Sequence, residues 1–118
     1  LTALPETIGN LVSLQDLHVS ENMISAVPRS IGQLSALQDL RLQYNSIQAL
    51  TREVAKLVTL RHLNVSYNKL LMLPDEVGGM TSLTQLQLDS NEMRSLPNTV
   101  RNLTNLTDIT MVGNAITE

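Results

Sequence analysis

The sequence predicts an α/β solenoid, in which short repeated units stack side by side and share one parallel sheet. Three observations support this fold: a period of 23 residues, a Leu-x-Leu alternation in each unit, and a Pro-led segment in most units. Such a period indicates a repeat protein, because each unit has an apolar side that only its neighbours can bury. We predict a single domain made of the following repeats: partial 1–13, full 14–36, 37–59, 60–82 and 83–105, and partial 106–118.

The period runs through the chain without an insertion. One polar column consists of Asn22, Asn45, Asn68, Asn91 and Asn114. A parallel apolar column consists of Leu17, Leu40, Leu63, Leu86 and Ile109. The repeated unit is therefore L-x-x-L-x-L-x-x-N-x-L, followed in most copies by L-P-x-x-I-G-x-L.

Each part of the unit predicts one structural element. The Leu-x-Leu alternation predicts a short strand with one face inward. The Asn predicts the end of that strand, because its side chain can replace backbone partners at a turn and stacked copies can form a ladder. Pro suits the first turn of a helix and cannot continue strand pairing, so the Pro-led segment predicts a return along the outer side.

One repeat departs from this pattern. Thr51 stands where the other repeats have Pro, and Arg52, Glu53, Ala55 and Lys56 around it favour helix. Since Thr is a good N-cap, we predict a slightly longer outer helix here rather than a special site.

The unit resembles that of leucine-rich repeat proteins, and the resemblance covers essentially the whole chain. It implies a curved horseshoe segment with a concave parallel sheet and short helices or 3-10 turns on the convex side. The Ile-Gly signature at 8–9 and 31–32, with Val-Gly at 77–78, is similar to intracellular Ras-group-related and Scribble-like scaffolds, although Ala55 and Arg101 break it. The resemblance implies a protein-binding platform without catalysis.

Composition excludes several classes of partner. The net charge of −3 and pI near 5.3 give no basic footprint for nucleic acid, and no apolar run is long enough for membrane insertion. The sequence contains no Cys, so neither disulfides nor the Cys-rich caps usual in extracellular leucine-rich repeat proteins are present. We therefore expect a cytoplasmic rather than an extracellular location.

The two ends fall inside repeats and carry no cap. Solenoids need terminal caps that cover the last apolar layer. We therefore expect a fragment of a longer protein, or end-to-end contacts with a partner that would cover residues such as Ile109, Met111 and Ile116.

The residues between the core columns of each strand face the concave side or its rim, and we call them the display positions. They are Asp16, His18, Ser20, Glu21, Asp39, Arg41, Gln43, Tyr44, His62, Asn64, Ser66, Tyr67, Gln85, Gln87, Asp89, Ser90, Asp108, Thr110, Val112 and Gly113.

Arg41, Tyr44 and Tyr67 are the predicted centre of a partner-binding site. Tyr44 and Tyr67 are neighbours in one column, and Tyr and Arg are enriched among residues that carry interface energy. The alternative is that the two tyrosines only cover the strand ends. The other display residues that we predict in the site are Asp39, His18, His62, Asn64 and Gln87.

The display positions carry more acidic than basic side chains, so a partner protein with a basic patch would fit. Asp16 and Asp39 are column neighbours, and like charges side by side are unfavourable. The alternative is a solvated face whose charges maintain solubility.

The sequence contains no recognisable set of catalytic residues. His18 and His62 lie two strands apart, about 10 Å, which is too far for shared zinc ligation. Asp39 could contact His62, but no serine stands in line with them. A cation at Asp16 and Asp39 is conceivable, yet calcium-loop spacing is absent. We predict no enzyme activity, catalytic residue, cofactor or metal.

Three functions remain open. The first is a protein-interaction scaffold, as in signalling, that binds through its concave face. The second is a structural subunit docked by its ends or convex side in a large assembly, for example a cytoskeletal one. The third is the regulatory region of a multidomain signalling enzyme.

Overall fold

Each repeat from residue 14 onwards contributes one three-residue strand to a single parallel sheet. The computed structural model describes residues 2–115. Its five strands lie side by side in chain order, and each pairs with the next at a register of one repeat. The strands are β1 Asp16–His18, β2 Asp39–Arg41, β3 His62–Asn64, β4 Gln85–Gln87 and β5 Asp108–Thr110. The predicted curved solenoid with a parallel concave sheet is confirmed.

Short 3-10 helices form the convex side. Where Pro precedes them, its extended backbone, such as φ −66° and ψ 154° at Pro28, starts the first turn. The Pro carbonyl then accepts a hydrogen bond from the residue three positions later, as Pro28 O does from Ile31 N at 3.1 Å. The 3-10 helices are Glu6–Asn10, Arg29–Gln33, Val54–Lys56, Asp75–Gly79 and Asn98–Asn102.

The longer outer helix predicted after Thr51 is wrong. The 3-10 helix there covers only Val54–Lys56 and has no side-chain cap hydrogen bond. It ends at the same place as its counterparts, because the Leu57 amide bonds to Val54 O and the Leu57 side chain is buried in the core. The shortening lies at its start, because the counterpart one repeat earlier begins at Arg29, the position equivalent to Arg52.

The core lies between the sheet and the 3-10 helices. Leu40, Leu63 and Leu86 have no exposed side-chain surface, and the apolar residues of the outer segments, such as Ile31 and Val77, pack against the same layer. The core is therefore a row of similar aliphatic layers, one for each repeat.

The asparagine column forms the predicted ladder at the ends of the strands. Asn68 Nδ2 donates to Leu42 O at 2.9 Å and to Val65 O at 3.0 Å, and its Oδ1 accepts from Ile47 N at 2.9 Å. Asn45 and Asn91 repeat these contacts one unit away. Each asparagine therefore connects its own strand end to the preceding repeat.

Burial decreases towards both ends of the stack. Leu17 in β1 and Ile109 in β5 are only half-buried, as is Met111 after β5. Ile116 lies outside the described residues. Whether the chain is a fragment stays a prediction.

Candidate functional site

Strand geometry determines which side chains reach the concave face. In β2 the middle residue, Leu40, points into the core, while Asp39 and Arg41 on either side point outwards and are half-buried. Successive strand residues alternate between faces, so the first and third residues of each strand lie on this face. Ser66, a display position after β3, is instead buried.

Asp39 and Arg41 form a two-pronged ion pair on the same face of β2. Arg41 Nε lies 3.2 Å from Asp39 Oδ1, and Arg41 Nη2 lies 3.1 Å from Asp39 Oδ2. A guanidinium fork that engages both oxygens of a carboxylate is a strong and directional contact. The charge of Arg41 is therefore balanced within the chain.

Both histidines converge on the same carboxylate. His18 Nε2 lies 3.5 Å from Asp39 Oδ2, and His62 Nδ1 lies 3.4 Å from Asp39 Oδ1. On its other side, His62 Nε2 lies 2.8 Å from Gln87 Oε1. We call His18, Asp39, Arg41, His62 and Gln87 the Asp39 cluster. It spans four strands, and the predicted contact between Asp39 and His62 is confirmed.

The electrostatics of the cluster favour an ionised Asp39. Partial burial alone raises the pKa of Asp39, but hydrogen bonds from Arg41 and the charges of Arg41, His62 and His18 outweigh burial and lower it. The same contact raises the pKa of Arg41. These basic neighbours offset the unfavourable proximity of Asp16 and Asp39 that the sequence predicts.

Tyr44 and Tyr67 form a stacked pair at the rim of the concave face. Their ring centroids are 4.4 Å apart and their planes differ by 7°. The side chains remain about half exposed, at 49% and 47%. Burial raises the pKa of Tyr44, and the adjacent Tyr67 and Glu21 add to this increase. The predicted adjacency of the two tyrosines is confirmed.

The backbone at both tyrosines is left-handed. Tyr44 has φ 60° and Tyr67 has φ 58°, a region that non-glycine residues rarely adopt. Hydrogen bonds between neighbouring repeats hold it, from Tyr44 N to Ser66 O at 3.1 Å and from Tyr67 N to Asp89 O at 2.8 Å. Gly113 in the same column, with φ 81°, is the sequence signal that could have revealed this conformation.

The predicted site residues fall into two groups. Arg41 turns back onto Asp39 within the Asp39 cluster, whereas the tyrosine pair forms a separate feature at the strand ends. Asn64 joins neither group, because its Oδ1 accepts a local hydrogen bond from Ser66 N at 3.0 Å. Sequence reasoning missed the role of Gln87 as a partner of His62, since that contact runs diagonally between strands.

One group of side chains has ligand atoms close enough for a metal ion. Ligand atoms of Asp16, His18 and Asp39 lie within 4.8 Å of one another. Asp39, however, already has both oxygens engaged by Arg41. The expectation of no bound metal stays a prediction.

Within residues 2–115, the structure contains no helix long and apolar enough to cross a membrane.

Comparisons with known proteins agree with the geometry. A family model described as a leucine-rich repeat region matches residues 31–117. The chain is also similar to the solved structure of a leucine-rich repeat protein from Leptospira interrogans, with 37% sequence identity and a TM-score of 0.94. The match covers 97% of this chain and 29% of that protein. No curated protein matches the sequence significantly.

Proposed function

The chain belongs to the leucine-rich repeat family, and from this premise we propose that it is a non-catalytic scaffold that binds a partner protein on its concave face. The similarity to intracellular Ras-group-related and Scribble-like scaffolds stays a prediction. The match covers under a third of the Leptospira protein, so any activity of a longer chain is outside this proposal.

The observation that carries the proposal is the exposed tyrosine pair. The two rings stack on each other, and hydrogen bonds to neighbouring repeats hold the backbone of both residues. Tyrosine offers a large contact area and a polar tip at low cost in side-chain entropy, which is why it is frequent at protein interfaces. The pair therefore has the properties of an interface anchor.

The Asp39 cluster supports the proposal as the polar part of the same surface. Arg41 is held in place by Asp39, yet its side chain is 42% exposed, so its remaining N–H groups can donate to a partner. A prearranged donor loses less conformational entropy on binding than a free side chain does.

Further features of the partner and its setting belong to the same proposal. Five of the display positions are acidic and one is arginine, which supports a partner with a basic patch. A cytoplasmic, signalling-type setting is part of the proposal through the resemblance to intracellular scaffolds, and the lack of Cys is compatible with it. End-to-end contacts remain a proposal.

Partner capture by the immobilised chain tests the proposal. We expect Tyr44→Ala, Tyr67→Ala and Arg41→Ala each to weaken capture about tenfold, as is usual for an interface anchor. Arg101→Ala, in the convex 3-10 helix Asn98–Asn102, is the matched control and should bind normally. Circular dichroism checks that each variant is folded. If the concave variants retain the partner while Arg101→Ala loses it, the binding surface is the convex side.

A further inference from the structure

Glu21, Tyr44, Tyr67 and Ser90 form one continuous row at the rim of the concave face. They occupy the same position in consecutive repeats and share left-handed backbone, with φ of 59°, 60°, 58° and 54°. Equivalent hydrogen bonds hold each position, such as Glu21 N to Gln43 O at 3.0 Å. We call these four residues the left-handed row. Adjacent members lie about 4.8 Å apart, the spacing of neighbouring strands.

The order of the left-handed row gives each tyrosine a different outer neighbour. The inner ring faces are occupied, because Tyr44 and Tyr67 stack on each other. The outer face of Tyr44 is on the side of Glu21, and the outer face of Tyr67 is on the side of Ser90. Tyr44 therefore combines an aromatic face with an adjacent carboxylate, whereas Tyr67 does not.

Glu21 carries an uncompensated charge beside this ring. Within residues 2–115 the structure forms no salt bridge to Glu21, whereas Asp39 is engaged by Arg41 and approached by both histidines. Glu21 is also exposed, so a partner can reach its carboxylate without displacing an internal contact.

We propose that Tyr44 and Glu21 form a binding position for an arginine side chain of the partner protein. The guanidinium lies flat on the outer face of Tyr44 and pairs at its edge with the Glu21 carboxylate. Aromatic faces attract cations, and arginine matches this position better than lysine because its planar group stacks on the ring and presents a fork to a carboxylate. This inference rests on the proposed function, since it specifies the chemistry of the partner on the concave face.

The composition of the chain makes the inference directly measurable. The sequence contains two Tyr, no Phe and no Trp, so its NMR ring signals come only from Tyr44, Tyr67 and the histidines. Tyr→Phe substitutions at 44 and 67 assign the two sets of tyrosine ring signals. The probe is Nα-acetyl-arginine amide, with the uncharged isostere Nα-acetyl-citrulline amide as control. We expect the arginine probe to shift the Tyr44 signals in a saturable way and more than the Tyr67 signals. The citrulline control should leave the signals of both tyrosines unchanged.

Two substitutions test the role of the carboxylate. Glu21→Gln should weaken the arginine effect about threefold, the scale of an exposed ion pair, while Glu92→Gln on an exposed residue outside the row should leave it unchanged. Ser90→Glu should create a second arginine-binding position beside Tyr67, so that the arginine probe also shifts the Tyr67 signals. Glutamate fits there, since Glu21 already adopts this backbone conformation.

Four results would overturn the inference: no effect of the arginine probe, equal shifts with citrulline, equal shifts with Nα-acetyl-lysine amide, or an arginine effect that survives Glu21→Gln unchanged. The proposed function has a separate outcome. If partner capture still depends on Tyr44, Tyr67 and Arg41 while the arginine probe has no effect, the concave interface stands and only its arginine specificity is wrong.

Discussion

Interior and terminal repeats differ in burial although they share one sequence pattern. Leu40 and Leu63 occupy the same column as Leu17 and Ile109, but the interior pair has no exposed side-chain surface and the terminal pair is half-buried. The difference comes from the number of neighbouring repeats, because an interior strand is covered on both sides and a terminal strand on one. The contribution of a core residue to stability therefore depends on the position of its repeat in the stack.

The same difference affects the display positions. Asp39 in β2 receives His18 from one side and His62 from the other, so its environment is assembled by three repeats. Stability and site chemistry in this chain are both produced by contacts between repeats. Three experiments examine that conclusion, beginning with the largest expected effect.

Removing an interior core leucine should cost more than removing its terminal counterpart. Leu63→Ala leaves a cavity between two neighbouring layers, and we expect a loss of about 2–5 kcal/mol in the free energy of unfolding. Leu17→Ala removes a half-buried side chain and should cost clearly less. Urea denaturation followed by circular dichroism measures both. Equal losses would contradict the dependence on neighbours.

Substitution by alanine should change the stability of the fold differently at two adjacent glycines. A Cβ at Gly78 would lie 2.7 Å from Thr99 O in the next repeat, whereas a Cβ at Gly79 meets nothing within 4 Å. We expect Gly78→Ala to destabilise the fold by about 1–3 kcal/mol through forced separation of the repeats. Gly79→Ala, the matched control, should be neutral or slightly stabilising. Thermal unfolding compares the two, and a neutral Gly78→Ala would contradict the close packing of Gly78 against Thr99.

Removing Arg41 should raise the pKa of Asp39. The folded-state pKa lies below the ordinary value of 3.8, so the ionised carboxylate contributes stability above that value and loses it as pH falls through the folded pKa. Arg41→Gln should move the Asp39 titration upwards and reduce the loss of stability in acid. Carboxyl 13C NMR titration measures the shift, with Arg101→Gln as control. An unchanged pKa would show that Arg41 does not hold the carboxylate in solution.

The overall architecture could be predicted from the sequence because it depends on local chemistry repeated in phase. Alternating leucines favour a strand, Asn ends it, and Pro begins the return, so the sheet order and the ladder follow from the 23-residue period. Neighbour relations within a column, such as Tyr44 beside Tyr67, follow from the same period.

The length of the segment after Thr51 could not be predicted. Local helix propensity favoured extension, but the 3-10 helix starts only at Val54 and ends at the position common to all repeats, before the buried Leu57. The contents of the Asp39 cluster were likewise only partly predictable. His62 is the register partner of Asp39, whereas His18 and Gln87 reach the cluster diagonally. Diagonal contacts depend on side-chain rotamers rather than on column position.

The sequence by itself therefore determined the repeat, its core columns and the strand residues that flank each core leucine. Only the tertiary structure decided how those side chains pair: that Arg41 engages Asp39 rather than standing free, and that the tyrosines stack on a left-handed backbone. The physical reason is that a period specifies which residues are neighbours, while the lowest-energy arrangement of charges and rings depends on all neighbours at once.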